Sequence, residues 1–77
     1  MARITIYSKP GCHLCDRAKE VIARCSVEYE VVDISHDAKL LSRYGNDIPV
    51  ILLDGVEIAR HFVREQQVLE QLRRKIS

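Results

Sequence analysis

The pattern of apolar and polar residues changes early in the chain from the period of a strand to the period of a helix. Arg3–Tyr7 alternates with a period of two and contains β-branched and aromatic residues, which predicts a strand. Ser8–Gly11 contains the Pro-Gly pair of a turn. After this turn apolar residues recur every three or four positions, which predicts an amphipathic helix that begins near Cys12. The residues expected on its apolar face are Leu14, Ala18, Val21, Ile22 and Cys25.

A second strand and a short helix are predicted next. Alternation returns at Val27–Ile34, where Glu28 and Glu30 on one side indicate a strand near a sheet edge. Ser35 is the expected N-cap of a short helix, and Gly45 is the residue at which that helix is expected to end.

The remaining residues predict a hairpin and a final helix. Val50–Leu53 is a continuous apolar run, as in a buried strand, and Asp54-Gly55 is a strong two-residue hairpin signal that leads to Val56–Ile58. Apolar residues at helical spacing predict a last helix that begins within residues 62–65. The order is β-α-β-α-β-β-α, and the sheet is mixed because a parallel β-α-β unit precedes an antiparallel hairpin.

Length and composition narrow the class of protein. The chain has 77 residues, which is enough for one domain over residues 1–77. Twelve Lys plus Arg against eleven Asp plus Glu give a formal net charge of +1, without the basic surface of a nucleic-acid-binding protein. The longest apolar run, Ile48–Leu53, is far shorter than a membrane span. With three cysteines and no export signal, we expect a cytoplasmic monomer that binds neither nucleic acid nor membranes.

Cys12 and Cys15 form a Cys-x-x-Cys run between the first predicted strand and the helix. The first turn of a helix has unsatisfied backbone N–H groups and a partial positive charge, and both stabilise a thiolate, the form of cysteine that attacks disulfides. Cys12 stands at the cap and is expected to be exposed, whereas Cys15 leans toward the face of Ala18 and Ile22. The pattern therefore predicts a redox site in which Cys12 attacks a disulfide and Cys15 resolves the mixed disulfide.

Metal binding is the main alternative interpretation of the cysteine pair. A structural zinc site needs four ligands, usually from a second closely spaced pair, and the other candidates Cys25, His36 and His61 are scattered. Covalent haem attachment needs a His directly after the second cysteine, where this sequence has Asp16. Two further alternatives stay open, an iron–sulfur or metal module in which two chains share thiolates and an interaction protein with an idle pair.

Cys25 is expected to be a buried, inert cysteine. It lies ten residues after Cys15 on the same predicted helix, an axial distance of about 15 Å. A disulfide needs Cα atoms within roughly 7 Å, so these two residues cannot pair in the folded protein.

The run Tyr7–Cys15 and the later Ile48-Pro49-Val50 before a hairpin together resemble glutaredoxin-like proteins of the thioredoxin superfamily, and the resemblance covers essentially the whole chain. It implies an α/β, thioredoxin-like fold with a four-stranded mixed sheet flanked by three helices. It also implies a thiol–disulfide oxidoreductase that reduces protein disulfides or glutathione mixed disulfides.

The resemblance further implies a platform for the substrate. Pro49 is expected to be a cis-proline beside the cysteine pair, and Ile48 to offer its backbone N–H and C=O groups to an extended substrate. Lys9 corresponds to the family lysine that pairs with a glutathione carboxylate. His13 and Leu14, between the cysteines, complete the expected substrate-binding residues.

One segment departs from the family pattern. Glutaredoxins commonly have a Gly-Gly-x-Asp-type element after the hairpin, whereas this sequence reads Ala59–Phe62, without a glycine pair or an acid. Arg60 and His61 are either anion-binding residues in its place or ordinary surface residues. No bound cofactor is expected, and glutathione and a flavin-dependent reductase are alternative electron donors.

Overall fold

The computed structural model describes residues 2–76, with Ile76 described by its backbone only. Met1 and Ser77 lie outside the described residues, and the interpretation of residues 1–77 as one domain stays a prediction. The predicted order of elements is confirmed. The strands are β1 (Arg3–Ser8), β2 (Glu28–Asp33), β3 (Val50–Leu53) and β4 (Val56–Arg60), and the helices are α1 (His13–Arg24), α2 (Ala38–Tyr44) and α3 (Glu65–Ile76), with a short 3-10 helix at Ile34–His36.

The four strands form one mixed sheet in the order β2-β1-β3-β4. β1 runs parallel to β2 and antiparallel to β3, and β3 runs antiparallel to β4. Ile6 pairs with Val31 on one side and with Ile51 on the other. β2 lies at an edge of the sheet, as predicted, but Tyr29 and Val31 are exposed as well as Glu28 and Glu30, so the alternation does not separate a buried from an exposed side.

The main core lies between one face of the sheet, α1 and α3. Alternate residues of β1 point to this face, because successive side chains of a strand lie on opposite sides of the sheet. Ile4 and Ile6 are completely buried there, against Ile22 of α1 and Val68 of α3. The full set of buried core residues is Ile4, Ile6, Ala18, Ile22, Cys25, Ile51, Leu53, Ala59 and Val68.

The opposite face of β1 meets the second helix. The rings of Tyr7 and Tyr44 lie with centroids 5.2 Å apart, and the guanidinium of Arg43 lies 5.3 Å from the centre of the Tyr44 ring. This contact holds α2 near the end of β1 that leads into the cysteine pair.

The start of α2 differs from the prediction. Ser35 is not its N-cap: Ser35 lies in the 3-10 helix, where its backbone N–H donates to the Asp33 carboxylate at 2.9 Å. The N-cap of α2 is Asp37, which accepts hydrogen bonds from the backbone N–H groups of Lys39 and Leu40, both at 3.0 Å. Asp and Ser are both strong N-caps, so local sequence does not decide among three such residues spaced two apart. Gly45 is the C-cap of α2, as predicted.

The predicted hairpin is confirmed at Asp54 and Gly55. Both residues have positive φ angles, +50° and +85°, as the two central residues of a type I′ turn require. Asp54 also joins the turn to β1: its N–H donates to Arg3 O at 3.0 Å, and its carboxylate accepts from Arg3 N at 2.9 Å. Of the helices described, none is long and apolar enough to cross a membrane.

Candidate functional site

The strand directions bring several of the predicted site residues to one end of the sheet. β1 ends at Ser8 and continues through a short loop to Cys12. Because β3 is antiparallel to β1 and Tyr7 pairs with Val50, Pro49 precedes β3 at the same end. Because β4 turns back again and Val50 pairs with Arg60, the end of β4 lies there too.

The loop before α1 places Cys12 at the helix start. Gly11 has a φ of +78°, a conformation that residues with a side chain adopt only with strain. Cys12 is the N-cap in an extended conformation, and its C=O accepts the first helical hydrogen bond from Asp16 N at 3.2 Å. The turn therefore presents Cys12 outside the helix while Cys15 lies within its first turn.

The two cysteines differ in environment and are joined by a hydrogen bond. Cys12 is half-buried, whereas Cys15 is only 1% exposed. The backbone N–H of Cys15 donates to Cys12 Sγ at 3.2 Å. The amide of Cys15 therefore provides a hydrogen-bond donor to the Cys12 sulfur, which stabilises negative charge that develops there. Both cysteines are free thiols, so the structure is that of the reduced pair.

Burial, followed by the side-chain hydrogen bond to Cys12, raises the pKa of Cys15 to about 12. The backbone N–H of Lys9 and the charge of Lys19 oppose this rise. A raised pKa means that Cys15 holds its proton in the reduced pair. The expected asymmetry between a more accessible and a buried cysteine is present, although Cys12 is less exposed than its cap position suggested.

Leu14 is placed differently from the prediction. It was expected on the apolar face of α1, but its side chain is 39% exposed and lines a groove beside the helix. Adjacent residues of a helix point about 100° apart, so Leu14 and Cys15 cannot both point at the sheet. Cys15 takes that direction together with Ala18 and Ile22, which are also buried.

The other expected substrate-binding residues differ in their exposure. Lys9 is half-buried, and its backbone N–H is close enough to the Cys15 sulfur to affect its charge. His13 is exposed. Ile48 is half-buried and Pro49 buried, and the peptide bond between them is cis, as the resemblance implied.

Asp47 was not predicted as a site residue, yet its carboxylate contacts both candidate anion-binding residues, Arg60 and His61. The Asp47 carboxylate lies 3.1 Å from Arg60 Nη1 and 3.4 Å from His61 Nε2. Arg60 also donates two hydrogen bonds to the Glu57 carboxylate, both at 2.6 Å. These contacts raise the pKa of Arg60 and lower that of Glu57. Arg60 therefore has its charge satisfied within the protein, and the only sequence signal for this was an acid two residues before Pro49.

His61 is further fixed through its backbone. Its N–H donates to the C=O of Pro49 at 2.9 Å, and its φ is +68°. The end of β4 is thus bound to the segment that carries the cis-proline by a backbone hydrogen bond and an ion pair.

Cys25 is 7% exposed and lies in the main core. Its thiol donates to Val21 O at 3.3 Å, and burial, followed by the charge of Glu65, raises its pKa. The expectation of a buried Cys25 is confirmed. Among residues 2–76 no three His, Cys, Asp or Glu side chains come together in a way that could hold a metal ion.

Comparison with known proteins gives matches over most of the chain. The sequence profile of a family described as Glutaredoxin-like domain (DUF836) matches residues 3–73. Gene 56 protein of Mycobacterium phage D29 is 36% identical over 59 residues, which are 70% of this chain and 66% of the phage protein. A protein named Glutaredoxin-like protein YDR286C homolog, from Dictyostelium discoideum, is 28% identical over 79 residues, covering 90% of this chain and 73% of the relative.

A solved structure agrees with the fold. The X-ray structure of target protein XcR50 from X. campestris superposes with a TM-score of 0.81 at 32% identity, over 92% of this chain and 96% of that one. The crystal structure of a mutant of the thioredoxin-like protein BC3987 superposes with a TM-score of 0.65 at 30% identity, over 88% of this chain and 94% of that one. These matches confirm the thioredoxin-like fold, which in this chain has four strands and three helices.

Proposed function

This chain belongs to the glutaredoxin-like domain family of the thioredoxin superfamily, and we propose that it is a thiol–disulfide oxidoreductase that reduces protein disulfides or glutathione mixed disulfides. Cys12 is the nucleophile and Cys15 the resolving cysteine. The observation that carries the proposal is the hydrogen bond from Cys15 N to Cys12 Sγ, in a residue that is only half-buried. This amide donor faces the sulfur that attacks the substrate in this proposal, and it stabilises the charge of the attacking thiolate.

The reaction follows from the difference between the two cysteines. The Cys12 thiolate attacks one sulfur of a substrate disulfide, forms a bond from its Sγ to that sulfur and releases the other as a thiolate, which takes a proton from water. Cys15 then loses its proton and attacks Cys12 Sγ. This forms the Cys12–Cys15 disulfide and releases the second substrate thiolate. Two electrons pass from the dithiol to the substrate, and a thiol reductant such as two glutathione molecules, or a flavin-dependent reductase, restores the pair.

Loss of the Cys15 proton is easier in the second step than in the free dithiol. The side-chain hydrogen bond to Cys12 is the second cause of the raised pKa of Cys15, after burial. Once Cys12 Sγ is bonded to the substrate it is neutral, so its charge no longer opposes a thiolate at Cys15. Formation of the mixed disulfide thus promotes its own resolution.

The substrate lies against the segment before β3 in this proposal. Ile48 precedes the strand ladder, which begins at Val50, so its backbone groups stand next to the end of β1. An extended substrate can add there as a short strand, with Pro49 beneath it. Lys9 then supplies a cation at the rim of the site. Arg60 and His61 position the Pro49 segment through Asp47 and do not bind the substrate anion.

Trapping of the mixed disulfide tests the roles of the two cysteines. The Cys15→Ser variant is expected to accumulate a covalent adduct with a disulfide peptide, located at Cys12 by mass spectrometry. The Cys12→Ser variant is expected to form no adduct and to release no thiol. Cys25→Ala serves as the matched control, because Cys25 lies in the core away from the pair, and it is expected to retain turnover. An adduct at another residue, or turnover by Cys12→Ser, would contradict the proposal.

The electron donor is tested separately. The oxidised protein is mixed with NADPH and either glutathione plus glutathione reductase or a flavin-dependent thioredoxin reductase, and NADPH consumption is followed. Turnover with only the first system identifies glutathione as the donor, and turnover with only the second identifies the flavoprotein. A protein that accepts electrons from neither, while Cys12 alkylates no faster than a peptide thiol at pH 6, would favour an idle pair.

A further inference from the structure

A groove runs beside the cysteine pair, between α1 and the segment that connects β4 to α3. Its volume is about 400 Å³, and it begins at Leu14, inside the Cys-x-x-Cys run. It continues along α1 to Arg24 and is closed on the other side by residues 61–64. From Leu14 to Arg24 the helix rises about 15 Å, a length that an extended segment of about five residues spans. The groove is therefore longer than the three residues of glutathione.

The walls of the groove are basic. Arg17 and Arg24 line it from α1, and Arg64 lines it from the opposite side, against a single acidic lining residue, Glu20. In the part of the chain that the structure describes, none of these three arginines forms an ion pair or a side-chain hydrogen bond. This contrasts with Arg60 nearby, whose charge is satisfied by two carboxylates. The three guanidinium groups leave the groove with an excess of positive charge, which favours a negatively charged occupant.

The groove also presents apolar surface. Phe62 is 71% exposed and Leu14 is 39% exposed, and Val21 and Val63, which also line the groove, are half-buried. The left-handed conformation of His61 and the hydrogen bond from Phe62 N to Arg60 O, at 2.8 Å, turn the chain sharply where Phe62 stands. A large aromatic side chain at the rim of a charged groove is typical of a protein-binding surface.

We propose that this groove binds an acidic segment of the disulfide-bearing protein substrate, with one large apolar side chain of that segment packing between Leu14 and Phe62. This inference deepens the proposed function and rests on it. Carboxylates of the segment pair with Arg17, Arg24 and Arg64, which brings the neighbouring substrate disulfide to Cys12. The groove would thereby select protein substrates by their charge. Glutathione is too short to span the groove and is not selected in this way.

Binding without redox chemistry is the first test. A Cys12→Ser/Cys15→Ser protein is titrated with labelled ten-residue peptides that contain Glu and Leu, or Lys and Leu at the same positions, and fluorescence anisotropy is measured. The acidic peptide is expected to bind about tenfold more tightly than the basic one, and the difference to shrink as salt is raised. Equal binding of the two peptides would overturn the inference.

Charge reversal locates the binding site. Arg24→Glu and Arg64→Glu are each expected to weaken binding of the acidic peptide by about tenfold. Lys39→Glu makes the same change in charge on the exposed surface of α2, outside the groove, and is the matched control. Arg64 precedes α3, where a carboxylate suits the helix N-terminus, so Arg64→Glu keeps the test valid if Arg24→Glu disturbs folding. If both variants bind the acidic peptide as Lys39→Glu does, the groove is not the site.

Turnover separates this inference from the function on which it rests. The intact protein is given cystine-containing forms of the acidic and the basic peptide, and kcat/KM is compared. Preference for the acidic peptide supports the groove. Equal reduction of both overturns the groove and leaves the oxidoreductase proposal intact. If neither peptide is reduced but the acidic one still binds the double serine variant, the oxidoreductase proposal fails and the binding surface stands.

Discussion

The backbone N–H of Cys15 donates to Cys12 Sγ at 3.2 Å, so the buried cysteine of the pair helps to stabilise charge on the accessible one. The same contact has opposite effects on the two sulfur atoms. Negative charge on Cys12 is favoured by the amide of Cys15, and it raises the pKa of the Cys15 thiol.

Alkylation of the reduced protein is expected to be selective within the pair. Because burial and Cys12 raise the pKa of Cys15 to about 12 from an ordinary value of 9.0, its thiolate fraction at pH 8 falls by roughly three orders of magnitude. Iodoacetamide should therefore modify Cys12 and leave Cys15 almost unmodified, as measured by tandem mass spectrometry of the peptide that contains both. In urea, where burial is lost, both residues should react. Equal modification of both in the native protein would show that the asymmetry is absent.

The reduced protein is expected to lose stability at alkaline pH. A thiol whose pKa is raised in the folded state binds more protons there than in the unfolded state. Its contribution to the free energy of unfolding is complete below the unfolded pKa, near 9.0, and is lost as pH rises toward the folded pKa, near 12. The urea midpoint of the reduced protein should fall from about pH 9 upward.

A Cys15→Ala variant is the control for this pH dependence. It removes the titrating group with the larger shift and keeps Cys25, whose pKa is also raised by burial. Its urea midpoint should fall less steeply between pH 8 and pH 10 than that of the reduced wild type. Parallel profiles for the two proteins would mean that Cys15 does not titrate as described.

Asp54 is expected to make stability dependent on acid pH. Its carboxylate accepts the Arg3 N–H at 2.9 Å and lies 3.2 Å from Lys75 Nζ, and these contacts lower its pKa. A lowered carboxyl pKa gives stability that is present above the unfolded value, near 3.8, and is lost as pH falls through the folded value. Asp54→Asn should therefore lower Tm at pH 7, with the difference closing below pH 3.8. Glu70→Gln, which removes an exposed acid from α3, should leave Tm nearly unchanged at both pH values.

Arg60 and Asp47 are expected to act together as positioning residues. Arg60→Gln breaks contacts to Asp47 and Glu57, and Asp47→Asn breaks the contact from the other side. Each should lower stability only slightly, since these groups are partly exposed, and each should raise KM for a glutathione mixed disulfide. The two effects should be less than additive in the double variant, because both changes remove the contact between Arg60 and Asp47. If Arg60 instead bound the substrate anion, Asp47→Asn would free it and lower KM.

Local patterns in the sequence were sufficient for most of the fold. The alternation of Arg3–Tyr7, the run Val50–Leu53 and the pair Asp54-Gly55 each predict an element from its own residues, and the structure contains all of them. The position of Cys12 at the helix cap, and of Cys15 on the helix face of Ala18 and Ile22, likewise predicts one accessible and one buried cysteine. The choice of Asp37 over Ser35 as N-cap was not decided locally, because both residues cap helices well.

The sequence by itself determined the order of strands and helices and the position of the cysteine pair, because these depend on spacing within a few residues. Only the tertiary structure decided what surrounds that pair. Asp47 and Arg60 are far apart in the chain and meet because β4 returns antiparallel to β3. Arg17 and Arg64 line one groove because α1 and the segment before α3 lie side by side over the same face of the sheet. Contacts between distant residues depend on how whole helices and strands pack against one another, and the spacing of residues within one segment does not predict this packing.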